Sequence, residues 1–188
     1  MLKIIYKRFN IEGLSPKERR HIEHEGAWEL LQGELCALGI SASDIQVCES
    51  GKPYLGGSSL HFNLSHSEGF CLCAISDAPV GVDVEAIHPK EPASMQRMAE
   101  RMFTEHERQR LDVANCSAEV FYEIWVKKEA IVKRDGVGIT GMAMVDSDEA
   151  PVHFTRIGEF ALAVCTDAED PIVWCEKPDN GSHRMSGN

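Results

Sequence analysis

Gly81-Val82-Asp83-Val84-Glu85 alternates apolar and acidic residues between Pro79 and Pro89. Alternation with a period of two predicts a β-strand that turns one face to the core. Val82 and Val84 share that face, and Asp83 and Glu85 share the other. Two carboxylates so placed repel each other unless a cation lies between them. A solvated strand face is the commoner fate of such a pair, but a second stretch argues for the cation. Ile124–Asp135 reads as helix, and within it Trp125, Glu129 and Lys133 recur every four residues. That spacing lines up an aromatic, an acid and a base on one helix face. A third carboxylate brought by a helix to the strand pair gives hard oxygen ligands suited to Mg²⁺, with positions left for phosphate oxygens.

Outward from these two stretches the chain reads as mixed helix and strand. Leu2–Phe9 alternates weakly, as a strand does. Ser15-Pro16 opens a helix with a capping box closed by Glu18, and Gly39 ends it. Arg19, Arg20 and His21 cluster near its start, where a solvated face and a grip on phosphate are equally good readings. Ile45–Ser50 is a short strand, and Gly51-Lys52-Pro53-Tyr54 a tight turn holding one cation. Leu60–Leu64 is a strand that ends in Ser65-His66-Ser67, residues that suit either phosphate binding or an ordinary turn. Phe70–Ile75 is a buried strand.

Beyond Glu91 the pattern becomes helical. The segments are Pro92–Met102, a second opened by the Thr104/Glu107 capping box, and Ser117–Lys133, which closes at Asp135-Gly136. Strands then dominate: Met142–Val145, Val152–Thr155, Phe160–Thr166 and Ile172–Cys175. From Lys177 the chain is a loose polar tail.

The 188 residues suffice for one sizeable core or two small ones, and 43% apolar with 26% charged residues is globular composition. A net charge of −11 argues against nucleic acid as a partner and requires any anion site to be a local basic pocket. No apolar run approaches a membrane span, and the N-terminus lacks a signal-peptide layout. Seven cysteines with no Cys-x-x-Cys pair read as reduced, mostly buried thiols of a cytoplasmic protein, with Cys71 and Cys73 on one strand face. No cysteine–histidine spacing suggests zinc.

Four motifs in order carry a family resemblance: Gly51-Lys52-Pro53, Asn63-Leu64-Ser65-His66-Ser67, Gly81–Glu85 and Trp125–Lys133. Together they resemble the 4′-phosphopantetheinyl transferases, and the first two are similar to the surfactin-synthetase-activating (Sfp-type) branch. The 80 residues before the aspartate motif favour that longer branch over the small holo-acyl-carrier-protein synthases. The resemblance implies an α+β fold of two similar subdomains related by a pseudo-two-fold axis, with the site in the cleft between them. It places residues 1–84 in an N-terminal unit, 85–176 in a C-terminal one, and 177–188 in the tail. It also implies a monomer.

The implied reaction moves the phosphopantetheine arm of coenzyme A to a serine of an apo acyl or peptidyl carrier protein, leaving adenosine 3′,5′-bisphosphate. Asp83, Glu85 and Glu129 would hold Mg²⁺, or Mn²⁺ as a substitute. Glu129, directly or through water, would take the serine proton, and Lys133 would stabilise the leaving group. Lys52 and His66 match positions that hold coenzyme A phosphates, and Gly51, Pro53 and Ser65 shape the pocket. Arg19 and Arg20 lie where the family places cations for the 3′-phosphate. Glu107 matches a further acidic position near the metal, weighed against its role as a cap. Trp125 is expected to pack in the core, and Lys128, one residue off the Trp125–Lys133 face, to lie near the surface. A Mg²⁺-dependent phosphohydrolase acting on coenzyme A or a nucleotide would use three acids equally well, although a Nudix-type glutamate-rich helix is missing. A non-catalytic coenzyme A or nucleotide binding module is the third reading, and Glu129 and Lys133 argue against it.

Overall fold

The Gly81–Glu85 alternation forms the middle of a strand, Val80–Ala86, whose apolar residues enter a core shared by two sheets. The computed structural model of the chain describes residues 1–179. In order, these form β1 (Leu2–Arg8), α1 (Pro16–Ala37), β2 (Ile45–Val47), β3 (Pro53–Leu55), β4 (His61–Ser67), β5 (Phe70–Ser76) and β6 (Val80–Ala86). They continue with α2 (Pro92–Met102), α3 (Glu105–Val113), α4 (Ala118–Asp135), β7 (Val152–Ile157), β8 (Phe160–Thr166) and β9 (Ile172–Lys177). The fold is mixed α+β. The larger sheet has the order β4-β5-β1-β9, and a three-stranded sheet the order β6-β8-β7. All pairings in these sheets are antiparallel except that of β1 with β9, so the last strand returns to the sheet that the first one entered.

Three apolar clusters stack these elements in four layers. Leu2, Ile4, Leu72 and Ala74 of the larger sheet meet Val82, Val84, Leu162 and Val164 of the smaller one. The outer face of the larger sheet, with Ile5, Cys73 and Ile75, is covered by Ala27, Leu31 and Leu35 of α1. The outer face of the smaller sheet, with Ala161, Ala163 and Cys165, is covered by α4, on which Met95, Ala99 and Leu111 of α2 and α3 pack in turn. Strand β8 is therefore buried on both faces, which is why its residues read as a continuous apolar run rather than an alternation.

Ser15 and Thr104 both close capping boxes, with Glu18 and Glu107, as their spacing predicts. Gly136, at φ 70°, ends α4 in the left-handed conformation. Two local expectations fail. Met142–Val145 is not a strand: Ile139–Met144 forms a 3₁₀ turn, entered through Gly138 and tightened by the Gly141 N–H donating to Gly138 O at 3.0 Å. Only Met142 of the segment reaches the core, so nothing holds it extended. Ser65, His66 and Ser67 lie within β4 rather than in a turn; Glu68 and Gly69, both at positive φ, make the turn.

All seven cysteines are free. Burial pushes the Cys71 thiol up to about 12 and Cys165 to about 11, which keeps both protonated. Among the described residues no helix is long and apolar enough to cross a membrane. The polar tail expected from Lys177 lies, beyond residue 179, outside the described residues.

Candidate active site

The site forms where α4 crosses the β4 and β6 edges of the two sheets. Gly81 permits the crossing. A Cβ there would lie 2.0 Å from the Ala130 carbonyl and 2.3 Å from the Arg134 amide nitrogen, so only glycine lets the helix backbone down onto β6. At this depth Lys133 reaches the strand: its Nζ is 2.6 Å from Asp83 Oδ1 and 3.1 Å from Ser65 Oγ.

The edge of β6 that β8 leaves free is not paired with β4 backbone. Alternate side chains of β4 take its amides instead. Val82 N–H donates to Asn63 Oδ1 at 2.9 Å, Val84 N–H to Ser65 Oγ at 3.3 Å and Ala86 N–H to Ser67 Oγ at 3.4 Å. The two hydroxyls then pass a hydrogen bond on, Ser65 to Asp83 Oδ1 at 2.8 Å and Ser67 to Glu85 Oε2 at 2.9 Å. This row of acceptors satisfies an edge that would otherwise be buried unpaired, and it orients both carboxylates. The period-two spacing of Asn63, Ser65 and Ser67 was the available signal for it.

The carboxylates are crowded. Asp83 is 3% exposed, and its Oδ2 is buried with no hydrogen-bond partner. Burial, with repulsion from Asp83, pushes Glu129 up to about 7, against the pull of Lys133. Glu85 is raised by burial and by Asp83 too, with the Ser67 hydrogen bond opposing. Burial works against the charge on Lys133, but Asp83 and Glu129 outweigh it and the ammonium is held more tightly than usual. Excess negative charge around an orphaned carboxylate oxygen is the chemistry of a site that accepts a hard divalent cation, and Asp83, Glu85 and Glu129 are hard oxygen donors of the kind such a cation takes. The three do not converge to within a common 4.8 Å. Among the described residues the trio that does is His106 of α3 with Asp146 and Asp148, where Asp148 already faces Arg110 and Lys127.

Beside the carboxylates is a cleft of about 280 Å³. Gly51, Lys52 and Pro53 form one wall, and Glu129, Val132, Lys133 and Gly136 the other, with Asn63 between. Lys52 Nζ donates to Arg134 O at 2.6 Å, and burial lowers its pKa. Two ammonium groups on one cleft of an acidic chain make a local anion pocket.

His66 points to the other face of β4, where its Nδ1 lies 3.3 Å from Glu23 Oε2 under α1. Arg19 lines a separate cleft of about 430 Å³ with Glu68, Gly69 and His88. Arg20 is exposed. The structure therefore joins Lys52 to Lys133 in one cleft but brings neither His66 nor the arginines into it. Trp125 stacks on Phe121 and packs against the α2–α3–α4 core.

Lys128 corrects an expectation. It is 0% exposed, not near the surface, and is paired with Glu107, which is also 0% exposed. The ammonium donates to Val145 O at 2.5 Å as well, while Glu107 accepts Thr104 N–H at 2.8 Å and Ser147 N–H at 2.7 Å. The helix face opposite β6 is roofed by α2, α3 and the loop at 145–147, so a residue turned from the strand meets more protein rather than water. Glu107 is thus fully engaged as cap and counter-ion.

The sequence profile of the 4′-phosphopantetheinyl transferase superfamily matches residues 79–186. The 4′-phosphopantetheinyl transferase psf-1 of Bacillus pumilus is 37% identical over 124 residues, covering 64% of this chain and 48% of that protein. AcpT of Escherichia coli K12 is 34% identical over 140 residues, 68% of this chain and 71% of the relative. Sfp of Bacillus subtilis 168 is 29% identical over 136 residues, 66% and 59% respectively. The chain belongs to the 4′-phosphopantetheinyl transferase superfamily, with Sfp-type proteins among its relatives. It spans between 48% and 59% of the length of the first three relatives it matches.

Proposed function

We propose that the chain is a 4′-phosphopantetheinyl transferase, which moves the phosphopantetheine arm of coenzyme A to a serine hydroxyl of an apo acyl or peptidyl carrier protein. The observation that carries this reading is the cleft: Lys52 of the Gly51-Lys52-Pro53 turn and Glu129 and Lys133 of α4, far apart in sequence, line one pocket. Lys52 and Lys133 bind the anionic oxygens of the pyrophosphate and offset charge as it develops on the leaving group. Glu129, directly or through water, takes the proton of the incoming serine from its place on the cleft wall. The serine oxygen bonds to the phosphorus that carries the pantetheine, the bond from that phosphorus to the bridging oxygen breaks, and adenosine 3′,5′-bisphosphate leaves. Asp83, Glu85 and Glu129 would hold Mg²⁺, or Mn²⁺, which supplies charge stabilisation at phosphate oxygens. Gly51 and Pro53 shape the pocket and Ser65 orients Asp83 beside it, while Arg19, Arg20 and His66 would meet coenzyme A only outside this cleft and Glu107 serves as cap and counter-ion.

The same reading takes residues 1–84 and 85–176 as two related units, with β6 straddling their boundary and β9 of the second pairing with β1 of the first. A monomer, a cytoplasmic setting for seven free thiols, and no nucleic-acid partner complete it. The test is to incubate the protein with coenzyme A, Mg²⁺ and an apo carrier and to weigh the carrier. A gain of one phosphopantetheine is expected. Free phosphopantetheine beside an unmodified carrier would mean hydrolysis, and neither product would refute both enzymatic readings.

A further inference from the structure

Both ammonium groups of the cleft are engaged with protein oxygens, but of different kinds. Lys52 Nζ donates to a neutral acceptor, the Arg134 carbonyl, at 2.6 Å. Lys133 Nζ donates to a charged one, Asp83 Oδ1, at 2.6 Å, and to Ser65 Oγ at 3.1 Å. A phosphate oxygen carries more charge than a carbonyl and can draw Lys52 from it. It cannot draw Lys133 from Asp83 on the same terms, because a carboxylate only 3% exposed would be left unpaired.

The Asp83–Lys133 pair is one-sided. Ser65 and Lys133 both donate to Oδ1, while Oδ2 is sealed and has no partner. Asp83, Glu129 and Glu85 all draw the Lys133 ammonium, so a single positive charge faces three acids. A cation of higher charge would balance them better. Helix α4 cannot shift to make room for one, because its backbone rests on Gly81. The Lys133 side chain can move on its flexible stem, since it is 28% exposed and lines the cleft beside Glu129.

We propose that Lys133 is an internal counter-ion, which a divalent cation displaces from Asp83 and so releases into the cleft to meet phosphoryl oxygens. The proposal rests on the reading that the carboxylates take Mg²⁺ and the cleft takes coenzyme A. It sets an order, cation before coenzyme A, and a reciprocal coupling between the two affinities. It also sets a sign. Lys133 competes with the cation, whereas a lysine that only positioned Asp83 would assist it.

The experiment is calorimetric titration of Mg²⁺, without coenzyme A, into the native chain, Lys133→Met and Lys52→Met, each checked for folding by its thermal melt. Lys133→Met should bind Mg²⁺ about ten-fold tighter or more, since the positive charge in contact with Asp83 is gone. Lys52→Met removes the same charge from a carbonyl of the same cleft and should change the affinity far less. Coenzyme A, titrated with and without Mg²⁺, should gain less from the metal in Lys133→Met than in the native chain. A Lys133→Met chain too unstable for titration is read by its melt, where Mg²⁺ should raise Tm more than it does for the native chain. Mg²⁺ binding by Lys133→Met that is equal or weaker, or a gain matched by Lys52→Met, overturns the proposal. If neither the native chain nor Lys133→Met binds Mg²⁺, it is the assignment of the carboxylates to a metal that fails. If Mg²⁺ binds but coenzyme A does not, it is the reading of the cleft that fails.

Discussion

Replacing Lys128 with alanine should destabilise the protein far more than a lysine on a helix surface would. The side chain is 0% exposed and Glu107, its partner, is 0% exposed. Removing the ammonium leaves a carboxylate under α2, α3 and α4 with only the Thr104 and Ser147 amides to solvate it. Breaking a buried pair by deleting one partner costs about 3–5 kcal/mol, a large share of the about 5–15 kcal/mol that holds most domains folded. For a chain of this length each kcal/mol moves the melting temperature by about 2–4 °C, so a drop of about 6–20 °C is expected. Urea unfolding followed by tryptophan fluorescence, with thermal melts at low and high salt, measures it. The double variant Lys128→Met/Glu107→Gln should recover most of the loss, since it keeps the acceptor for Thr104 and strands no charge. A single-variant cost below about 1 kcal/mol, or one that vanishes in high salt, is the signature of an exposed pair and would refute the buried placement of Lys128.

Two further outcomes follow from the site. A carboxyl whose folded pKa lies above its ordinary 4.5, as Glu129 does at about 7, binds its proton more tightly in the folded state. Metal-free stability should therefore fall as pH rises from about 4.5 through about 7, and Glu129→Gln should flatten that slope in melts run with EDTA; an unchanged slope would point to other groups. Gly81→Ala should cost about 1–3 kcal/mol or more, because the new Cβ meets helix backbone that cannot rotate away. A native urea midpoint for that variant would mean that α4 does not sit on β6 at this depth.

What the sequence made legible was local. Proline at the first position of α2 and the two capping boxes set helix starts through contacts within four residues, and the predicted Pro92–Met102 is the helix observed. The same local signal was misleading at Met142–Val145, where apolar letters suggest a strand but a turn closed across Gly138 and Gly141 comes first. Lys128 was illegible for a different reason. A helical wheel separates a face that meets the strand from one that does not, and it leaves open whether the second meets water. Its counter-ion lies 21 residues away, on a helix whose own start explains Glu107 without it.

The Asn63-x-Ser65-x-Ser67 spacing shows how a motif can be visible while its physics is not. Small polar residues near a strand end suit phosphate binding, and they suit a turn. Here their first task is neither: they act as a surrogate strand edge, accepting three amides that no backbone carbonyl reaches. The choice of side chain rather than backbone acceptors has a consequence for the site. A carbonyl only accepts, whereas a hydroxyl or amide that accepts from the strand retains a proton to give. The seam between the two sheets thereby carries two donors directed at Asp83 and Glu85. Had β4 paired with β6 through its backbone, the two sheets would be one, and the carboxylates would lose the hydroxyls that now aim them.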